Sequence, residues 1–342
     1  MNLKKLYNKT LVKKDMKLIL WLIVIATIAL FIDLPMKNIS YLGDLKYGFE
    51  GRFYGDIWKI EEAVNRASFL QIFMNVVLAI SLGVLLIGEE KRKKTLDILW
   101  HMPYSKAQIY FNKILVGLIS IIIPFLINSL IMIFMSITIK EIGDIYTPRM
   151  IIESLGLNIY VTILIFMFSI LIGSTSGNSI SQTAITLIFM ILPLGLMVLF
   201  FGNLNAWGFH ITMPVDDSPI GIFVQYTSMA MYLVPLEAYD TLGGDVMSRL
   251  ICVGIYILSF GVIAYKCFKN TNMGRNGEVL AFKSLDKILL YGVTICSMML
   301  LGLLLDSMLS FGKLGLLTGY VLGGFGGYKL TNHFINVSGA KN

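Results

Sequence analysis

Residues 69–106 read FLQIFMNVVLAISLGVLLIGEEKRKKTLDILWHMPYSK. The first half, 69–87, carries no charge and is apolar around its whole circumference. A helix needs about 20 such residues to cross a hydrocarbon layer roughly 30 Å thick. The second half turns abruptly to Glu89-Glu90-Lys91-Arg92-Lys93-Lys94, a charge cluster that cannot stay in lipid. One stretch therefore predicts a membrane-crossing helix and the water-facing turn that follows it.

The same pattern recurs along the chain. Runs at 18–33, 69–87, 114–139, 157–173, 183–201, 250–266, 288–305 and 311–328 predict about eight transmembrane helices in a single transmembrane domain over 1–342. Only helices satisfy their own backbone bonds locally in hydrocarbon. The runs do not alternate as barrel strands would, so the fold class is all-α and polytopic. The basic N-terminus followed by Leu18 to Ile32 has the outline of a signal peptide. It lacks a small-x-small cleavage site and is read as an uncleaved first span.

Composition agrees. The 342 residues are 56% hydrophobic and 14% charged, against about 25% charged in a soluble domain. The net charge of +7 would suit nucleic acid. The basic residues instead fall in short clusters between apolar runs, so membrane lipid is the expected environment and nucleic acid is not an expected partner. Cys252, Cys267 and Cys296, with His101, His210 and His333, show neither CxxC nor HxxxH spacing, so no metal site is expected.

With the N-terminus cytosolic and sides alternating, about 19 of the 28 Lys and Arg fall inside. That places both termini on the cytosolic side of a cytoplasmic membrane, and a composition rich in Ile, Lys and Asn suggests a bacterial one.

Segment 88–113 is then a cytosolic loop. Leu96, Leu99 and Trp100 sit at i, i+3 and i+4 and form a short apolar stripe. Thr95 is suited to start that helix, and Pro103 discourages its continuation through Met102. Ser105 with Gln108 reads as a capping box opening the third span. Such a helix either rests on lipid headgroups or docks into a groove on a cytosolic partner; the residues alone leave both open. In the last span Gly315, Gly319, Gly323 and Gly327 form a flat stripe for close helix packing, within the chain or between subunits.

The pattern Glu89, Glu90, Lys91, Thr95, Leu96, Leu99, Pro103, Ser105, Lys106 and Lys113 resembles the ABC-2 type of ABC-transporter permease. It departs at Lys94, where the family commonly has glycine, and at the bulky Trp100-His101. Arg275 to Lys283 resembles a loop of a bacterial subgroup with two extra C-terminal spans.

The resemblance implies the membrane-spanning subunit of an ATP-driven transporter, an exporter, paired with a second permease chain as homodimer or heterodimer. Separate cytosolic ABC ATPase subunits would bind ATP and Mg; this chain would hold no cofactor. No GxxxxGK[ST] loop occurs in it. The coupling residues implied are Glu89, Glu90, Thr95, Leu96, Leu99, Trp100 and Pro103. The acidic pair would steer basic groups of the ATPase, and the apolar residues would form the buried contact.

Two other readings compete. The complex could sense or remove membrane-active compounds without classical transport. Alternatively, Glu61-Glu62 with Arg66 matches the EExxxR signature of an intramembrane protease, although none of the histidines has the spacing that chemistry needs. Ion-coupled carriage would need ionisable residues near mid-bilayer, and Asp33, Glu153 and Asp306 lie at span ends.

Overall fold

In the computed structural model of the chain, the described residues are 6–39, 69–144, 146–211, 218–233, 246–271, 278–281, 283–309 and 313–339. Among them the structure is helical, apart from one isolated antiparallel bridge between Ser176 and Leu280. The long helices are α1 (Lys9–Phe31), α2 (Phe69–Gly83), α4 (Lys106–Thr138), α5 (Pro148–Thr175), α6 (Ser179–Ala206), α8 (Val246–Asn270), α9 (Lys283–Leu309) and α10 (Lys313–Gly339). Two shorter ones are α3 (Thr95–His101) and α7 (Pro219–Thr227). Helix α1 runs on through a widened π turn at Ile32–Met36, and α2 through another at Val84–Gly88 into Glu89–Arg92.

The helices outrun the apolar segments that predict them, because backbone hydrogen bonding continues into the headgroup zone. The first span, read as 18–33, belongs to a helix of 31 residues, Lys9–Ile39. Its start is fixed by Asn8, whose side chain accepts from the amides of Thr10 and Leu11. The Ser105–Gln108 capping box forms at the start of α4.

Seven of the described helices are long and apolar enough to cross a membrane. The expectation of eight runs differs at α10, whose glycines dilute its apolarity. Helix α10 nevertheless lies antiparallel against α9 along most of its length. Gly315 faces Leu305 and Asp306, Gly319 faces Gly302, Gly323 faces Met298, and Gly327 faces Thr294. A Cβ on Gly319 would stand 2.6 Å from both Leu301 O and Gly302 Cα, so the two backbones touch. Helix α10 is thus held by packing against α9 rather than by its own hydropathy.

Contacts cluster into two units: 1–86, 100–171 and 233–265 in the first, and 87–99, 172–232 and 266–342 in the second. In the first, α1 and α4 run parallel, joined by Asn112 Nδ2 to Leu6 O (2.9 Å) and Asn128 Nδ2 to Thr27 O (3.1 Å). The buried stripe of α1, Leu11, Asp15, Ile19, Leu22, Ala26 and Leu30, recurs at steps of three and four. Helices α2, α5 and α8 share the opposite direction. Asn75 donates to Asn158 (2.9 Å) and Tyr160 OH to Leu250 O (2.9 Å). Near the other end Tyr110 OH of α4 donates to Gly261 O of α8 (2.7 Å), as antiparallel neighbours must. In the second unit α6 and α9 run parallel. Asn203 Nδ2 donates to Met299 O (3.3 Å), Tyr320 OH to Asn203 Oδ1 (2.6 Å), and Trp207 Nε1 to Tyr320 OH (3.0 Å).

Candidate coupling site

The site is built where α2 leaves the apolar layer. Gly88 lets the helix approach Ser179 and Gln182 at the start of α6; a Cβ there would lie 2.8 Å from Ser179 Cα. The π turn at Val84–Gly88 breaks the regular backbone ladder. Leu86 O is taken by the buried ammonium of Lys113 on α4, at 2.7 Å. Lys113 also stands 3.7 Å from the buried carboxylate of Asp15 on α1.

Beyond the turn, Glu89 and Lys91 part company. Glu89 is only partly covered and pairs with Arg92 (2.8 Å) and Lys93 (3.7 Å) on its own helix. Lys91 turns inward and is fully buried. Its ammonium donates to Gly173 O (2.8 Å), Ser174 O (3.1 Å) and Ser176 O (2.8 Å). Gly173 O and Ser174 O are end carbonyls of α5, at the negative end of its dipole, and Ser176 O lies just beyond the helix. Three donors meet three acceptors.

The chain then corners at Lys94, whose φ of 55° is in the left-handed region. This is where the family resemblance places glycine, and the geometry supplies the reason: only glycine adopts that conformation without cost. Thr95 opens α3, with its hydroxyl donating to Glu90 O at 3.3 Å and closing the corner. The helix presents an orientation different from the one its stripe suggests. Leu96 and Leu99 are buried in the protein's own packing, at 0% and 6% exposure, and Glu90 is buried too. Trp100 is half-buried, with the Lys106 ammonium 4.1 Å from its ring centre. The apolar side chains that face outward are Ile98 (59% exposed) and Met102 (44%), beside exposed His101 and Pro103.

In this chain Leu96 and Leu99 anchor α3 from beneath. Glu90 is turned inward, and Glu89 pairs with Arg92 and Lys93. The sequence reading gave no structural role to Lys91 or Lys113. Helical phase carried the signal for Lys91: steps of four back from it reach Ile87, Gly83 and Ala79, all buried.

The glycine stripe faces α9 of the same chain. Of the loop Arg275 to Lys283, Glu278 to Ala281 and Lys283 are described. Ala281 N donates to Thr175 O (2.8 Å), Gly177 N to Val279 O (3.4 Å), and Asn178 Nδ2 to Glu278 O (2.9 Å). Glu61, Glu62 and Arg66 lie outside the described residues.

Comparison with known proteins gives a consistent result. Residues 8–273 match the family model described as ABC-2 family transporter protein. The chain is 27% identical over 223 residues to the probable ABC transporter permease YtrD of Bacillus subtilis (strain 168), covering 65% of this chain. That alignment spans 64% of YtrD, just under two thirds of its length. It is 27% identical over 273 residues to the probable ABC transporter permease YtrC of the same organism, covering 77% of this chain and 76% of that one. No solved structure matches. A multi-pass helical chain with a short helix anchored between α2 and α4, matched over most of its length, belongs to the ABC-2 family of transporter proteins.

Proposed function

We propose that this chain is the membrane-spanning subunit of an ATP-driven exporter, and that α3 receives the stroke of a separate cytosolic ATPase. The observation that carries the reading is the construction of α3. It is a seven-residue helix held from below by Leu96 and Leu99, with Ile98 and Met102 left on its outer side. Exposed apolar side chains beside a charged corner suit a groove on a protein partner, with affinity from the apolar pair and steering from the charges. Arg92, Lys93 and Lys94 are exposed on that corner, so the complementary rim on the ATPase is acidic. ATP and Mg belong to that partner, and a second permease chain completes the transporter. The α3 end of the chain is its cytosolic end, and export is the direction the family resemblance implies.

The test is co-purification of the permease with the ATPase encoded beside it. Ile98→Asp, at an exposed position, should leave the permease folded and abolish the complex. A complex that survives both Ile98→Asp and Met102→Asp, with ATP-dependent transport intact, would refute the docking role.

A further inference from the structure

The described residues of the second unit are tied together at both ends of α6. At one end Lys91 holds the last turn of α5 and Ser176. Thr271, just after α8, donates to Ser174 O at 3.3 Å. The segment 278–281, which leads into α9, pairs with the α5–α6 turn in strand fashion, burying Leu280 and Ala281. At the other end Asn203 and Trp207 are bonded into the α9–α10 hairpin through Met299 and Tyr320. Gly202 adds a close approach to Leu303. The hairpin lies past residue 273, where the family match stops.

We propose that Lys91 fastens the segment around α3 to one block made of the α5–α6 turn, α6 and the C-terminal hairpin, so that a push on α3 is delivered to the hairpin. Lys91 is a positioning residue: among the described residues its Nζ bonds three backbone carbonyls at the α5–α6 turn, so removing that one group frees all three at once. The origin of the push rests on the coupling role proposed above; the fastening does not.

The experiment uses nitroxide pairs and pulsed EPR on the full chain in nanodiscs, with Cys252, Cys267 and Cys296 changed to alanine. One pair is Lys93→Cys with Ile180→Cys; the other is Lys93→Cys with Ile288→Cys. All three positions are exposed; Lys93 belongs to the basic corner proposed to face the ATPase, so co-purification is read on the unlabelled chain. Without the ATPase, both pairs should give narrow distance distributions, and Lys91→Met should broaden both. Methionine keeps the length of the side chain and removes the ammonium, so a merely space-filling Lys91 predicts no broadening. In the vanadate-trapped complex both distances should match those without nucleotide. Unchanged widths in Lys91→Met, or a 93–288 distance that shifts on trapping, would overturn the proposal. If the ATPase fails to co-purify, the coupling reading falls and the comparison without nucleotide still decides the fastening. If Lys91→Met does not accumulate, Asn178→Ala, which frees Glu278 O, takes its place. It should broaden the 93–288 pair more than the 93–180 pair, and equal widths would count against the block.

Discussion

The α9–α10 contact offers a test in which two alanines seven residues apart on one helix should behave differently. At Gly319 an added methyl would sit 2.6 Å from Leu301 O and Gly302 Cα. Carbon contacts are comfortable at about 3.5–4.0 Å, so the helices must part by roughly 1 Å at their crossing. Both obstructing atoms are backbone, so no rotamer change relieves the clash. Overpacking of this kind costs about 1–3 kcal/mol, and the rigid partner places Gly319→Ala near the top of that range. Gly326, on the same helix, has nothing within 4 Å of its would-be Cβ. Gly326→Ala should be neutral or stabilising by up to about 1 kcal/mol, because alanine favours helix. Equilibrium unfolding by SDS in mixed micelles reads both variants. Equal effects would refute backbone contact. A change in subunit stoichiometry at unchanged monomer stability for Gly319→Ala would show that the stripe serves another chain instead.

Other expectations are simpler to state. Lys94→Gly relieves the left-handed corner and should stabilise the chain relative to Lys94→Ala by about 1 kcal/mol, read by the same titration. Asp15→Leu leaves the buried Lys113 ammonium without its carboxylate and should cost about 3–5 kcal/mol. The double change with Lys113→Met should recover most of that loss, and a double variant no better than Asp15→Leu would refute the pairing. Tyr320→Phe removes two hydrogen bonds between α6 and the hairpin. It should cost about 1–3 kcal/mol and raise proteolysis of the hairpin; an unchanged cleavage rate counts against the link.

The crossings were legible because hydropathy over about 20 residues is a local property. Ser105 and Gln108 were legible for the same reason, since a capping box needs only four residues. The orientation of α3 was not. In a chain surrounded by lipid, an apolar stripe such as Leu96, Leu99 and Trp100 does not distinguish the protein's interior from its outside, so periodicity gave the helix but not its facing. Lys91 and Lys113 were hidden for a different reason. Their partners are carbonyls at Gly173 and Leu86, and a backbone acceptor leaves no mark in sequence. The last helix was counted from its apolar run at 311–328, although its hydropathy is marginal and its place is decided by glycine contacts with a neighbour.

That marginal helix bears on how the protein is made. Helix α10 follows α9 out of the ribosome, and its apolarity is too diluted by glycine to hold it firmly in lipid alone. Its entry depends on α9 already being in place to offer Gly302 and Met298 as a landing surface. Insertion of α9 and α10 is therefore a cooperative step, in which the two helices are retained as a pair and loss of α10 would leave a grooved flank of α9 uncovered.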